Sequence, residues 1–418
     1  MFQLLLKRNF TLLFTGRLIT NIGDSLYAVA AMWLVYELTS NSIFTGIAGA
    51  LTMGPMALNF LIGPLVDHLP LKNLLVYSQL IQVVLILIIP ITFYLDILNV
   101  WIVLTIMPIA VFIEQFAYPA QQTALPKILE KEELVKGNSM MAFAYQGTDI
   151  IFIGLSGLII AYIGAIQVFV IDAFTFLVAG LLFHFLALPK RANEVAQQGM
   201  KDTIKSAKSS YTKDLKEGIS YVKNSFIPKF LVAVVGANFL FGAVNAILPV
   251  YADLRGGEVF YGYYLAALSV GMLVGSLSAS ALNRFSISTI MIVGSVAAGC
   301  SWLASFMVTN SYLSVIMYGL AMIPIGSINV MTQSMLQAIV SEALLGRVVT
   351  IVSSMASIAL PVGALFGGIA ANFIGSEYVF FLGSIANILI GAYWLINADL
   401  RKIPTLEKMN PENYGLSA

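Results

Sequence analysis

Four ionisable residues stand where the surrounding sequence is almost wholly apolar: Arg17, Asp24, Glu114 and Asp149. Arg17 and Asp24 lie in the stretch TGRLITNIGDSLYAVAAMWLVYEL, residues 15–38. Seven residues are almost two helical turns, roughly 10 Å of rise, so both side chains project from one helix face. Asp24 falls deep in an apolar run that starts near Phe10. At roughly 20 Å from that start it would sit close to the midplane of a bilayer. An ionised carboxylate there costs several kcal/mol unless paired, which is the property a proton-coupling or substrate site exploits. The competing reading is a fixed Asp24–Arg17 or Asp24–Asn21 bond that only orders the helix. Arg17 is shallower and serves either as an interface anchor or as a gate partner. Asp149, well inside its own apolar run, is the second deep carboxylate. Glu114, near the cytoplasmic end of another, is a candidate for binding a cation or a proton. Asp172 reads as a cap toward the outer end of its run.

These side chains need helices that cross a membrane. The chain has 418 residues, of which 59% are hydrophobic and 10% charged. Soluble domains carry roughly 25% charged residues, so this surface is made for lipid. A net charge of +1 gives no basic footprint for a nucleic acid. Runs of about 20 apolar residues number twelve, centred roughly near residues 23, 54, 84, 109, 150, 177, 239, 270, 298, 324, 360 and 388. The expected fold is all-α and membrane-embedded: a six-helix bundle over 1–188, a cytoplasmic linker with an amphipathic helix over 189–226, a second bundle over 227–398 and a tail over 399–418. Of the 22 basic residues, all but Arg17 and Arg255 fall on one side of this topology. That asymmetry places both termini in the cytoplasm.

The halves repeat. At an offset of 211, QTALPKILEKEELVKGNSM from Gln122 falls on QSMLQAIVSEALLGRVVTI from Gln333, and IGAIQVFV from Ile163 falls on IGSEYVFF from Ile374. The first parts of the halves align at 216, where Phe44 and Gly46 meet Phe260 and Gly262. Two six-span repeats of the same orientation are the plan of major facilitator transporters. The motifs GRLITNIGD (Gly16–Asp24), IDAFTFL (Ile171–Leu177), DLKEGISYVKN (Asp214–Asn224) and LGRVVTIVSSMASIALPVG (Leu345–Gly363) resemble the macrolide-efflux-like, drug:proton antiporter branch of that superfamily. The resemblance implies efflux of amphipathic compounds by alternating access. It also implies a cytoplasmic gate motif between spans two and three. In GPLVDHLPLK, Gly63, Asp67 and Lys72 keep that pattern, while His68, Pro70 and Leu71 depart from it.

No phosphate-cradling loop, metal-spaced cluster or catalytic constellation occurs, and two histidines and one cysteine leave little for an enzyme to use. No cofactor or metal is expected. The expected partners are a small-molecule substrate, protons and the lipid bilayer, with no nucleic acid, and the protein is expected to function as a monomer in a bacterial cell membrane. Three other functions fit the same spans. An uptake permease for a polar metabolite would draw on Asn21, Asn238, Asn245, Ser327 and Asn329 as cavity groups; a lipid or siderophore exporter and a non-transporting scaffold are the others. The glycine pairs in GMLVG (Gly271–Gly275) and GALFG (Gly363–Gly367) predict close helix packing.

Overall fold

The computed structural model describes residues 2–55, 62, 66, 69–188, 227–340 and 342–409. The linker with its expected amphipathic helix, and Gly63 and Asp67 of the gate motif, lie outside the described residues. Among the described residues all regular structure is helical.

The first half comprises α1 (Arg8–Thr39), α2 (Ser42–Met53), α3 (Leu71–Tyr94), α4 (Val100–Glu114), α5 (Ala117–Ile128), α6 (Leu134–Ala142), α7 (Thr148–Ile163) and α8 (Ala165–His184). The second comprises α9 (Ile227–Gly256), α10 (Glu258–Ser278), α11 (Ile287–Met307), α12 (Ser311–Ile339), α13 (Glu342–Ile374) and α14 (Ser376–Ile396). Eleven described segments are long and apolar enough to cross a membrane, each pair α4–α5 and α6–α7 forming one of them. The expected second span is described chiefly as the 12-residue apolar α2. Large apolar side chains such as Phe174, Val293, Ile316 and Phe373 are exposed, as lipid-facing surface requires. This is a multi-pass membrane protein.

The repeat is written into the backbone. Asn99 caps α4 by accepting from the Trp101 and Ile102 amides, and Asn310, at the 211 offset, caps α12 by accepting from Leu313 N. Gly164 and Gly375 join α7 to α8 and α13 to α14 at φ +86° and +93°. Side chains rarely adopt that conformation, so glycine recurs at this junction in both halves.

Two compact units emerge, one from the described residues within Met1–Thr39 and Gly54–Ser210, the other from those within Ser40–Met53 and Tyr211–Ala418. Helix α2 therefore groups with the second half: Gly46 backs onto Gly368, and Ser42 Oγ donates to Gly368 O at 3.0 Å. In the first unit, α8 packs between α1 and α3. Its core gathers Phe10, Leu13, Leu75, Leu125, Phe183 and their neighbours. Below it Lys7 Nζ meets the Glu133 carboxylate at 2.6 Å, and that hydrogen bond raises the ammonium above its ordinary range.

In the second unit, glycines set the helix pairs. A Cβ at Gly363 would stand 1.9 Å from Phe239 O, joining α13 to α9, and one at Gly275 would stand 2.0 Å from Ile323 O, joining α10 to α12. Backbones this close require the missing side chains.

Candidate functional site

The site assembles inside the first unit. On α1, Arg17, Asn21, Asp24 and Ser25 recur at three- and four-residue intervals, so they share one face. Helix α4 ends at Glu114, its last residue, and turns through Gln115 and Phe116 into α5. Between α6 and α7 the chain makes a π-helical turn at Phe143–Gly147. Such turns are rare and displace side chains from the regular α register. This one carries Tyr145, whose ring lies 4.3 Å from the Arg17 guanidinium carbon.

Arg17 is 5% exposed and is the centre of the arrangement. Its Nη1 lies 3.6 Å from Asp24 Oδ2 and its Nη2 3.7 Å from Glu114 Oε1. Nη2 also donates to Asn21 Oδ1. The Asn21 amide nitrogen in turn reaches Tyr145 O at 2.7 Å, Thr148 Oγ1 at 2.6 Å and Asp149 Oδ1 at 2.8 Å. Ser25 Oγ donates to the same Asp149 oxygen at 2.6 Å. Tyr145 OH donates to Gln121 Oε1. One guanidinium thus joins three carboxylates, two through long ion pairs and the third through an asparagine.

Arg17, Asn21, Asp24, Glu114 and Asp149 therefore come together. Arg17 does not snorkel to an interface, because its charge is met in place by acceptors on α1 and α4 and by the Tyr145 ring. Lys72 lies in the first turn of α3, apart from this network. Asn238, Asn245 and Asn329 belong to the second unit. Asn238 and Asn245 donate to Val234 O and Phe241 O, one turn back on α9.

Asp172 is a correction. It is not a cap: it lies eight residues into α8, fully buried, with Oδ1 accepting from Thr175 Oγ1 at 3.3 Å. A Cβ on Gly23 would stand 2.2 Å from that Oδ1, so the glycine is what admits the carboxyl between α1 and α8. Among the described residues no group of His, Cys, Asp or Glu is arranged to hold a metal ion.

A family model described as transmembrane secretion effector matches residues 2–415. The chain belongs to that family of major facilitator transporters. Among relatives of this secretion-effector chain is the multidrug efflux pump Tap of Mycolicibacterium fortuitum, 22% identical, with 95% of this chain and 97% of that protein covered. Macrolide efflux protein A of Streptococcus pyogenes is 21% identical, covering 95% and 98%. The crystal structure of a bacterial homologue of the human lysosomal transporter Spinster, inward-facing and occupied, shares the fold with a TM-score of 0.70 at 10% identity, over 97% of each chain.

Sequence reasoning missed Tyr145, Gln121, Ser25 and Thr148 in this candidate site. Aromatic and small polar residues are common in apolar spans, and no sequence pattern marks a π-helical turn. The one available signal is spacing: Ser25 follows Asn21 by four residues, on the face already marked by Arg17.

Proposed function

We propose that this chain is a secondary active exporter that exchanges protons for amphipathic compounds across the plasma membrane, with both termini in the cytoplasm. A charge imbalance carries this reading: one buried guanidinium serves the Asp24, Glu114 and Asp149 carboxylates. Leaving two carboxylates uncompensated at this depth is costly. Two protons, or one proton and a monovalent cationic substrate, remove that cost. Arg17, almost equidistant from Asp24 and Glu114, can transfer its attraction from one to the other as either takes up a proton. Asn21 and Ser25 extend the network to Asp149 without adding charge. The outward direction is supported by relatives named as efflux proteins. The orientation is supported by the one-sided distribution of lysine and arginine.

Erythromycin transport driven by an imposed pH gradient in everted vesicles tests this reading. Asp24→Asn keeps shape and hydrogen bonding and removes the titration. It is expected to abolish gradient-driven transport while leaving the protein folded and capable of passive exchange. Asp149→Asn is the comparison: if Asp149 is the coupling carboxylate, the two phenotypes exchange. Unchanged gradient-driven transport by both variants would mean that the carboxylates only order the helices, and would sink the proposal.

A further inference from the structure

The second half of the repeat carries a cavity where the first half carries its charges. It measures about 200 Å³ and lies wholly within the second unit. At the 216 offset Asn21 and Asp24 fall on Ala237 and Leu240, and at the 211 offset Glu114 and Asp149 fall on Ile325 and Leu360. All four counterparts line the cavity. The 211 register is secured by the Asn99 and Asn310 caps and by the Gly164 and Gly375 junctions, and the 216 register rests on Phe44 and Gly46 meeting Phe260 and Gly262 in the sequence. One layer of the repeat is thus acidic in the first half and aliphatic in the second.

Polarity returns at other positions in the same wall. Asn238, Asn329, Asn387 and Trp302 also line the cavity. At the same offsets the three asparagines replace Ile22, Tyr118 and Phe176. Asn238 and Asn387 donate their amide nitrogens to Val234 O and Gly383 O, each at 2.9 Å, which leaves the amide oxygens to accept from elsewhere. Trp302 is 3% exposed, and its indole N–H has no hydrogen-bond partner among the described residues. Its ring is held edge-on to Tyr318 at 5.1 Å and tilted against Phe380 at 5.4 Å. A buried donor left unpaired costs more than one exposed to water, so an acceptor brought to Trp302 gains the difference.

The cleft is also preformed. Gly242 and Gly363 lock α9 to α13, while Gly271, Gly275 and Gly326 lock α10 to α12, all by contact with backbone. Neither pair can tighten further, so each presents a rigid wall to the cavity.

We propose that this cavity binds the uncharged part of an amphipathic ligand: a flat apolar fragment with a carbonyl- or ether-type acceptor for Trp302 and an amide or hydroxyl donor for the asparagine oxygens. The fragment is smaller than a whole drug, which needs roughly 300–1,000 Å³. This rests on the transporter reading and adds to it that protons and the neutral part of the ligand use corresponding positions in different halves of the chain.

Equilibrium dialysis of labelled chloramphenicol against the purified full-length protein tests the cavity. Chloramphenicol is uncharged and carries an aromatic ring, an amide and two hydroxyls. Its affinity should fall about tenfold in Asn238→Leu and in Asn387→Leu, the loss of roughly one buried hydrogen bond each. Trp302→Phe, which keeps the ring packing and removes the N–H, should lose as much. Leu240→Trp narrows the cavity without removing any of the hydrogen-bonding groups and should weaken binding by at least about tenfold. It also decides the matter should an asparagine variant fail to fold. Absence of binding by the unmodified protein, or equal binding by Leu240→Trp, would overturn the assignment. Either result would leave the proton-coupling reading to the Asp24→Asn experiment, whose readout is gradient-driven transport rather than equilibrium affinity.

Discussion

Arg17 reaches two carboxylates because its guanidinium presents donors in a fixed plane, with Nη1 toward Asp24 and Nη2 toward Glu114, above the Tyr145 ring. A lysine ammonium is a single point charge and cannot address both partners in that geometry. Arg17→Lys should therefore fold but transport at least about tenfold more slowly. Arg17→Met removes the cation altogether and should destabilise the protein by about 3–5 kcal/mol, the usual result of breaking a buried pair. Thermal unfolding in detergent checks this, and stability should be partly restored in the double variant with Asp24→Asn. Gly23 is the quiet member of the group. Gly23→Ala would press a methyl group against Asp172 and Thr175 and should cost about 1–3 kcal/mol.

Helices in lipid gain little from burying apolar surface against one another, so close packing has to come from small residues. The α9–α13 and α10–α12 pairs meet this requirement with glycines whose missing side chains would collide with carbonyl oxygens. Gly363→Ala should lower the unfolding midpoint by an amount equivalent to about 1–3 kcal/mol. Gly236, also on α9, has no atom within 4 Å of the place a Cβ would occupy. Gly236→Ala should be neutral or stabilising by up to about 1 kcal/mol, since alanine is the better helix former. Equal destabilisation by the two would refute the packing argument. The broken elements belong to the site instead: α4 stops at Glu114, and the π-helical turn before α7 brings Tyr145 under Arg17.

For the molecule as a whole, basic residues speak to orientation, and Arg255 is the exception outside the site. The structure accounts for it: its guanidinium donates to Val308 O at 2.7 Å and Phe306 O at 3.0 Å, satisfying carbonyls at the end of α11. An arginine engaged in capping a helix is a local structural device and does not weaken the positive-inside argument. A reporter fused after Ala418 should accordingly be accessible from the cytoplasm alone, as a protease-protection assay on intact cells and everted vesicles would record. Labelling from outside the cell would reverse the proposed topology.

The amino-acid sequence by itself determined the membrane class, the positions of the eleven spans described and the repeat. Each follows from hydropathy, helix period or chain-length arithmetic, which are local or one-dimensional quantities. It also marked Arg17 and Asp24 as sharing a face, because seven residues bring a helix nearly to the same azimuth. Only the tertiary structure decided which groups from α4 and α7 meet that face, since contacts between helices depend on packing rotation and on the π-helical turn at Phe143–Gly147. For the same reason Asp172 could be mistaken for a cap: its environment is made by the absence of a side chain at Gly23, nearly 150 residues earlier in the chain. The grouping of α2 with the second half follows from Gly46 and Gly368 meeting backbone to backbone. Connectivity places α2 in the first half, and the close approach of two glycines overrides it.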